Sequence, residues 1–294
     1  MQANGNNKAR QLQLVLSPDR LTRLMILGVA ALGLASLCTQ AASSPLAGRL
    51  LQRESELVRF FYLDHEHNLP TWFQVGLLLL CGGLLALIAQ GKWRIVDRYA
   101  KAWALYAVIF FGLSLDELMS FHERLIVPFR ETLKTGSVLY FAWVIPGAVF
   151  TLIVAALSLR FLRNLPRSTR HRFLFAGTVY TSGAIGVEMI SGAVADAHGM
   201  GSAAYVLLAH AEELLEMIGG VVFLRALLGY AGASTGAIML QPLARDRADH
   251  QGFWAPVRQL PISAGGSGGG NLLYTIHHEP ENNERWLRDD GSRP

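Results

Sequence analysis

The sequence predicts an all-α membrane protein, a polytopic bundle of about six transmembrane helices. Charged residues make up 16% of the 294-residue chain, whereas a soluble domain carries about 25%. Hydrophobic residues reach 51% and are grouped in long runs. The arginines and lysines lie in short clusters between those runs, as topology signals do. That distribution argues against nucleic acid as a partner, although the net charge is +4.

Six segments are apolar enough to cross a bilayer, which requires roughly 17–25 mostly apolar residues. They lie at about 22–43, 70–90, 101–121, 138–161, 172–194 and 204–229. The first also fits a secretory signal, because its apolar part is short and follows basic residues. Its long leading region favours a retained helix. The predicted organisation is a cytoplasmic N-terminus (1–21), a transmembrane domain (22–229) and a cytoplasmic, largely disordered tail (230–294).

Basic residues are distributed unequally between the two sides of the predicted bundle. Thirteen Lys and Arg residues lie on one set of flanks, within residues 8–23, 92–101 and 160–172. Six lie on the alternate flanks, within residues 49–59 and 124–134. Since the side richer in Lys and Arg faces the cytoplasm, both termini are predicted to be cytoplasmic. The connection after the third span is then predicted to face outward.

Acids and histidines of the apolar segments converge on one level of the predicted bundle, its outer half. An ionised acid at the centre of a bilayer costs on the order of 3 kcal/mol, so such side chains indicate function. The main candidates are Asp116, Glu117, Glu123, Glu188, His210, Glu212, Glu213 and Glu216. The secondary candidates are Asp64, His65, Glu66, His67, Asn68, Ser120 and His122.

Helical phase gives the third and sixth spans one acidic face each. At about 100° per residue, one arc of the third span holds Asp116, Glu117, Ser120 and Glu123, and His122 lies opposite. Because neither acidic face is expected to meet lipid, we expect them to face each other or a water-filled pocket. Glycines within residues 182–192 and at 219–220 would let the helices approach closely.

The charge balance of this cluster restricts its chemistry. Seven acids have a single arginine, Arg124, close to them in sequence. Seven ionised carboxylates at low dielectric would repel one another strongly. Either several of them are protonated, or a bound cation neutralises them. Carboxylates with one or two histidines suit a divalent metal ion such as manganese, iron or zinc.

Three classes of function fit these observations and remain open at the level of sequence. The first is proton- or cation-coupled transport, since protonatable acids on facing helices form ion pathways. The second is a membrane metal-dependent hydrolase acting on lipid-type substrates. The third is a non-catalytic membrane partner or sensor, in which the acids bond helices together. The expected partners are the lipid bilayer and either another membrane protein or further copies of this chain.

Three stretches of the chain carry a family resemblance: "DHEHNLPTWF" (64–73), "FGLSLDELMSFHERL" (111–125) and "EELLEMIGG" (212–220). Together they resemble a group of uncharacterised bacterial multipass membrane proteins over roughly residues 60–230. The resemblance implies a multi-pass protein of the bacterial inner membrane and groups the acids of these motifs, but it carries no activity. Ceramidase-like membrane hydrolases are disfavoured, because their last helix has an H-x-x-x-H pair that this chain lacks.

Overall fold

The computed structural model describes residues 17–42 and 56–235 of the chain. Within these residues every regular element is helical. The helices are α1 (Pro18–Ala42), α2 (Glu56–Phe61), α3 (Leu69–Arg94), α4 (Ala100–Met119), α5 (Phe121–Leu133), a 3₁₀ turn (Ser137–Leu139), α6 (Val144–Asn164), α7 (Arg167–Thr181), a π-helical turn (Ser182–Val187), α8 (Glu188–His198) and α9 (Ala203–Thr235). Residues 230–235 of the predicted disordered tail continue α9 as helix. The rest of that tail, and most of the predicted N-terminal segment, lie outside the described residues.

Six helical segments among the described residues are long and apolar enough to cross a membrane. They are α1, α3, α4, α6, the continuous run from α7 through the π turn to α8, and α9. The all-helical fold with about six spans is therefore confirmed, whereas its orientation stays a prediction. Helix α6 begins at Val144, later than the predicted residue 138, because the 3₁₀ turn precedes it.

The core of the bundle forms around α9, which contacts α1, α3, α7, α8 and the π turn. Met217 and Leu227 of α9 are fully buried, as are Cys81 and Leu85 of α3. Trp103 of α4 stacks on Tyr230, with ring centroids 4.7 Å apart. Cys81 is a free thiol buried in this core, where it packs as a small apolar residue.

The polar entry to α3 caps the helix. Asn68 is its N-cap, and the Asn68 side-chain oxygen accepts a hydrogen bond from the backbone N–H of Thr71 at 3.1 Å. The Asn68 amide donates to the carbonyl oxygen of Tyr62 at 2.6 Å. Pro70 follows in the first turn, where a backbone N–H has no partner within the helix. The missing N–H of proline therefore costs no hydrogen bond there. The Asn-x-Pro-Thr part of the motif is thus explained by helix initiation.

The third span breaks at Ser120, which overturns the helical-phase argument for His122. Ser120 has φ 50° and ψ 45°, a left-handed conformation, so α4 ends at Met119 and α5 begins at Phe121. Residues beyond Ser120 therefore leave the phase of α4. His122 folds back onto the acidic face of α4 instead of lying opposite to it. The predicted outward connection includes α5, an amphipathic helix with no buried residue, as expected of a helix at a membrane surface.

Small residues let α9 approach α7 and the π turn closely. A Cβ atom added at Gly219 would lie 2.7 Å from the backbone nitrogen of Tyr180. One added at Gly183 would lie 2.7 Å from the carbonyl oxygen of Glu212. Side chains at these positions would collide with backbone that cannot rotate away. The close approach brings Glu188 and the acids of α9 into one region.

Candidate functional site

A cavity of ≈760 Å³ lies among α4, α6, α7, the π turn, α8 and α9; we call it the acidic cavity. Its volume is within the range of about 300–1,000 Å³ that is typical of small-molecule sites. Among the described residues, the carboxyl side chains that line it are Asp64, Glu66, Asp116, Glu117, Glu123, Glu188, Glu212, Glu213 and Glu216. The basic side chains that line it are His122 and Arg130. The cavity is thus strongly acidic at one end.

The acids come from four separate segments of the chain, and regular helical spacing explains the two largest groups. Glu117 follows Leu113 and Phe110 along one face of α4, and all three line the cavity. Glu213 and Glu216 lie one turn apart on α9. These three glutamates are half-buried, because they face open space within the bundle. The structure therefore brings together the acids of the predicted third and sixth spans.

Glu188 and Glu212 are held in the wall of the cavity by hydrogen bonds. The indole N–H of Trp143 donates to Oε1 of Glu188 at 2.7 Å. The hydroxyl of Ser191 donates to Oε2 of Glu212 at 3.3 Å. Both glutamates are buried, with 9% of each residue exposed. The π turn directly precedes Glu188, and π-helical insertions of this kind often occur at functional sites.

The loop before α3 adds two carboxyl groups to the acidic end. The hydroxyl of Tyr205 donates to both oxygens of Asp64, at 3.3 Å and 3.1 Å. Burial raises the pKa of Asp64 to about 7, with the charge of Glu188 adding to this effect and the Tyr205 hydrogen bond opposing it. Burial also raises the pKa of Glu66, and the charge of Glu123 acts in the same direction. Both carboxyl groups therefore hold protons more tightly than exposed acids.

His122 and Asp116 form an ion pair at the same end. Nδ1 of His122 lies 2.8 Å from Oδ2 of Asp116, and the backbone N–H of His122 donates to Oδ1 at 3.0 Å. Burial opposes protonation of the ring, but the hydrogen bond and the charge of Asp116 outweigh it and raise the pKa of His122 to about 9. The pair therefore contains a protonated His122 ring at neutral pH. Because His122 is paired with Asp116, Arg130 is the remaining cationic side chain in the lining for the other acids.

His210 is not among the residues that line the cavity, although it was the leading histidine candidate. Nε2 of His210 lies 2.7 Å from the Ser36 hydroxyl, and Nδ1 lies 2.7 Å from the carbonyl oxygen of Val206. Ser36 also accepts a hydrogen bond from the backbone N–H of Leu63 at 3.2 Å. These bonds join α1, α9 and the loop before α3. His210 thus has a packing role in the structure.

The remaining secondary candidates lie outside the cavity lining. His65 and His67 are exposed, and Asn68 serves as the helix cap. Ser120 is buried, and its side chain hydrogen-bonds the carboxyl group of Glu66, which partly opposes the raised pKa of Glu66. Its role is to break the helix.

Sequence reasoning missed the aromatic side chains that surround the acids. Tyr140, Trp143, Tyr180 and Tyr205 line the acidic end. Their hydroxyl and indole groups provide hydrogen bonds to carboxylates, as in the Tyr205–Asp64 and Trp143–Glu188 contacts. Polar aromatic residues at the same predicted depth as the acids were a usable signal in the sequence. The carboxyl partner of each aromatic residue could not be predicted from the sequence, because the two residues of each pair come from different segments.

The donor set does not converge on a point. Within residues 17–42 and 56–235, no group of three or more His, Cys, Asp and Glu side chains is arranged to hold a metal ion. The carboxyl groups instead line the walls of a wide cavity. This spacing fits protons shared among several sites, or a cation larger than a single metal ion.

In a comparison with known protein families, residues 22–231 match a family described as "Domain of unknown function (DUF8692)". The chain belongs to this family. The matched region contains every carboxyl group of the acidic cavity. It also covers the six membrane-capable helices of the described residues, except for the start of the first and the end of the last. No curated protein and no solved structure matches the chain. The family description assigns no activity, so the chemistry must be argued from the cavity itself.

Proposed function

We propose that the protein binds a cation in the acidic cavity in exchange for protons. The observation that carries this proposal is the composition of the lining, in which nine carboxyl groups face one arginine and one histidine. An acidic cavity of this kind attracts cations, and in a low-dielectric bundle the attraction is stronger than in water. With no cation present, protons relieve the repulsion among the acids. Binding of the cation then releases them.

The extent of the cavity supports ligand binding over a purely structural use of the acids. Carboxylates that only join helices would be expected at helix contacts. Glu117, Glu213 and Glu216 instead face an opening that continues past them along α4 to Tyr106. A large cavity in the core costs packing energy, so its presence favours a binding function. The described geometry fits a solute site in a membrane protein, for transport or for chemistry on the ligand.

The first prediction concerns the charge at the centre of this cluster. Glu213→Gln should keep or raise the thermal stability of the empty protein, because one source of repulsion is removed. It should also lose the stabilisation that cations give to the wild type. That stabilisation amounts to about 2.7 kcal/mol at a ligand concentration of 100 times the dissociation constant. The measurement is thermal melting of purified protein with Mn²⁺, Zn²⁺, Fe²⁺ or tetramethylammonium, between pH 5 and 8.

Glu131→Gln is the matched control for this experiment, since Glu131 is exposed on α5 and lies outside the cavity lining. It removes the same charge from the same chain and should leave the cation response unchanged. A wild-type protein that responds to neither pH nor any of these cations would contradict the proposed function. Equal loss of response in both variants would show that net charge, not the cavity, controls the effect.

The second prediction concerns the orientation of the chain in the membrane. We propose that the protein lies in a bacterial inner membrane with both termini in the cytoplasm. The supporting observation is the excess of Lys and Arg on the flanks at 8–23, 92–101 and 160–172. The acidic cavity would then open to the outer face. In Arg167→Cys, the new thiol should resist a membrane-impermeant maleimide in intact cells, and in Arg124→Cys it should react. Labelling at residue 167 from outside would overturn this orientation.

A further inference from the structure

We infer that the cation is an amphiphile, a long-chain ammonium whose head lies among the acids and whose tail occupies the apolar part of the acidic cavity. This inference rests on the proposed function and specifies its ligand. The cavity changes character along its length. Carboxyl groups line one end, whereas aliphatic and aromatic side chains of α4, α6, α7 and α9 line the other.

Aromatic rings accompany the carboxyl groups at the acidic end, and this combination is suited to an alkylated ammonium. Such a head carries its charge on methyl or methylene groups and is attracted to the faces of aromatic rings as well as to carboxylates. Trp143 is anchored by its hydrogen bond to Glu188, and its ring lies 4.8 Å from that of His122. The rings of Tyr205 and Phe141 lie 6.2 Å apart. A small metal ion would instead require carboxylates that converge.

The apolar part of the cavity is long and continuous. Leu113, Phe110 and Tyr106 line the cavity at helical spacing along α4, at increasing distance from Asp116. The ten residues from Asp116 back to Tyr106 span about 15 Å at 1.5 Å per residue. Phe110 stacks on Phe223 of α9, with ring centroids 4.6 Å apart. This aromatic pair forms one wall. A cavity lined in this way accommodates an alkyl chain, with few polar groups to be left unsatisfied.

Away from the acids, α4 and α6 contact each other directly. The hydroxyl of Tyr106 donates to the hydroxyl of Ser158, and Trp103 packs edge-on against Phe161, with centroids 4.9 Å apart. Nearer the acids the two helices are separated by the cavity, to which α6 contributes Phe150 and Val154. The acidic end remains the position for the charged head.

Gly177 of α7 provides a selective way to fill the apolar part. It lines the cavity, and a Cβ atom added there would meet nothing within 4 Å. Gly177→Leu therefore adds apolar volume in open space without a backbone clash. Gly112→Leu is the matched control, because Gly112 lies on α4, outside the cavity lining, and an added Cβ there also meets nothing within 4 Å.

The test measures binding of radiolabelled dodecyltrimethylammonium to the full chain in lipid nanodiscs, with empty nanodiscs as the correction for partitioning. Unlabelled tetramethylammonium should compete, because it shares the head. Gly177→Leu should weaken binding of the long-chain probe about tenfold, which is the size of effect that overfilling a packed site produces. The same variant should leave the affinity for tetramethylammonium unchanged. Gly112→Leu should match the wild type in both measurements.

The outcomes separate this inference from the proposed function. If tetramethylammonium binds but the long-chain probe binds no more tightly than partitioning explains, the cation has no tail and the inference is overturned. Equal affinities of the wild type and Gly177→Leu for the long-chain probe would overturn it too. Binding of dodecyl phosphate that requires Mn²⁺, with no binding of the ammonium probe, would assign a metal-bridged anionic head and contradict ours. If no cation binds and pH has no effect, the proposed function itself fails.

Discussion

Raising the pH from 5 to 9 is expected to lower the melting temperature of the purified protein by roughly 10 °C. Asp64 has a folded-state pKa of about 7, raised from 3.8, so the folded state binds this proton more tightly. The contribution of this proton to the stability of the folded state is present at low pH and is lost as the pH rises through 7. His122 has a folded-state pKa of about 9, raised from 6.5. Its contribution is complete below pH 6.5 and is lost as the pH rises through 9.

Both groups therefore act in the same direction, and their effects add across the interval. Each pKa unit corresponds to about 1.36 kcal/mol. Because the cavity admits solvent, we expect about 2 kcal/mol from each group and not the full value. A change of 1 kcal/mol shifts the melting temperature of a domain of this size by about 2–4 °C. The raised pKa of Glu66 strengthens the trend without changing its sign.

Two variants divide the pH dependence into its parts. Asp116→Asn removes the charge that raises the pKa of His122, so the loss of stability between pH 6.5 and 9 should disappear. The other acids that face this ring are Glu117 and Glu216, and they would retain a small part of the effect. Asp64→Asn should remove the loss between pH 4 and 7 instead. Glu131→Gln, on the exposed side of α5, should change neither phase.

A melting temperature that stays constant or rises between pH 5 and 9 would contradict this account. So would an unchanged profile in Asp116→Asn, because the ion pair with His122 could not then control the upper phase. The measurement should be repeated with a bound cation from the set that stabilises the wild type. Its presence should flatten the profile, since the cation replaces the protons at high pH.

The sequence predicted the helices and the acids well because both depend on local information. Each span is an apolar run of sufficient length, and the structure has six such helices in its described residues. The acids of α4 and α9 repeat at helical spacing, and the structure brings them to one cavity. The inference that the acids converge also used the direction of each helix, which alternates along the chain. That alternation puts Asp116, Glu188 and Glu213 at one depth of the bundle.

The features that sequence reasoning could not predict depend on backbone conformation and distant contacts. Ser120 adopts a left-handed conformation that nothing in its neighbours requires, and this single residue moves His122 from the far side of a helix to Asp116. His210 finds its partner in Ser36, 174 positions earlier. The tyrosine and tryptophan partners of Asp64 and Glu188 also come from other helices. Residue type alone therefore assigned His210 to the site and left the aromatic side chains out.

The largest loss of stability is expected from Gly183→Leu, at the contact between the π turn and α9. An added Cβ would lie 2.7 Å from the carbonyl oxygen of Glu212, and 3.1 Å from both Cγ of Glu216 and Cβ of Leu215. The first of these atoms belongs to backbone, so the two helices must separate. Overpacking costs about 1–3 kcal/mol when side chains can adjust, and a backbone clash should exceed that range. We expect a melting temperature at least 5 °C lower, or failure to purify as a single species.

Gly186→Leu is the control that makes this prediction specific, because Gly186 lies in the same π turn and an added Cβ there meets nothing within 4 Å. Both substitutions change the same residue type to the same side chain, so any general effect on the π turn is shared. Gly183→Ala should be intermediate, since it adds the colliding atom without the larger side chain. The separation of the helices should also displace Glu212 and Glu216, so the cation response should fall in Gly183→Ala but not in Gly186→Leu. Equal melting temperatures for the two leucine variants would mean that α9 and the π turn are not held at this close approach, and that the acidic cavity does not depend on it.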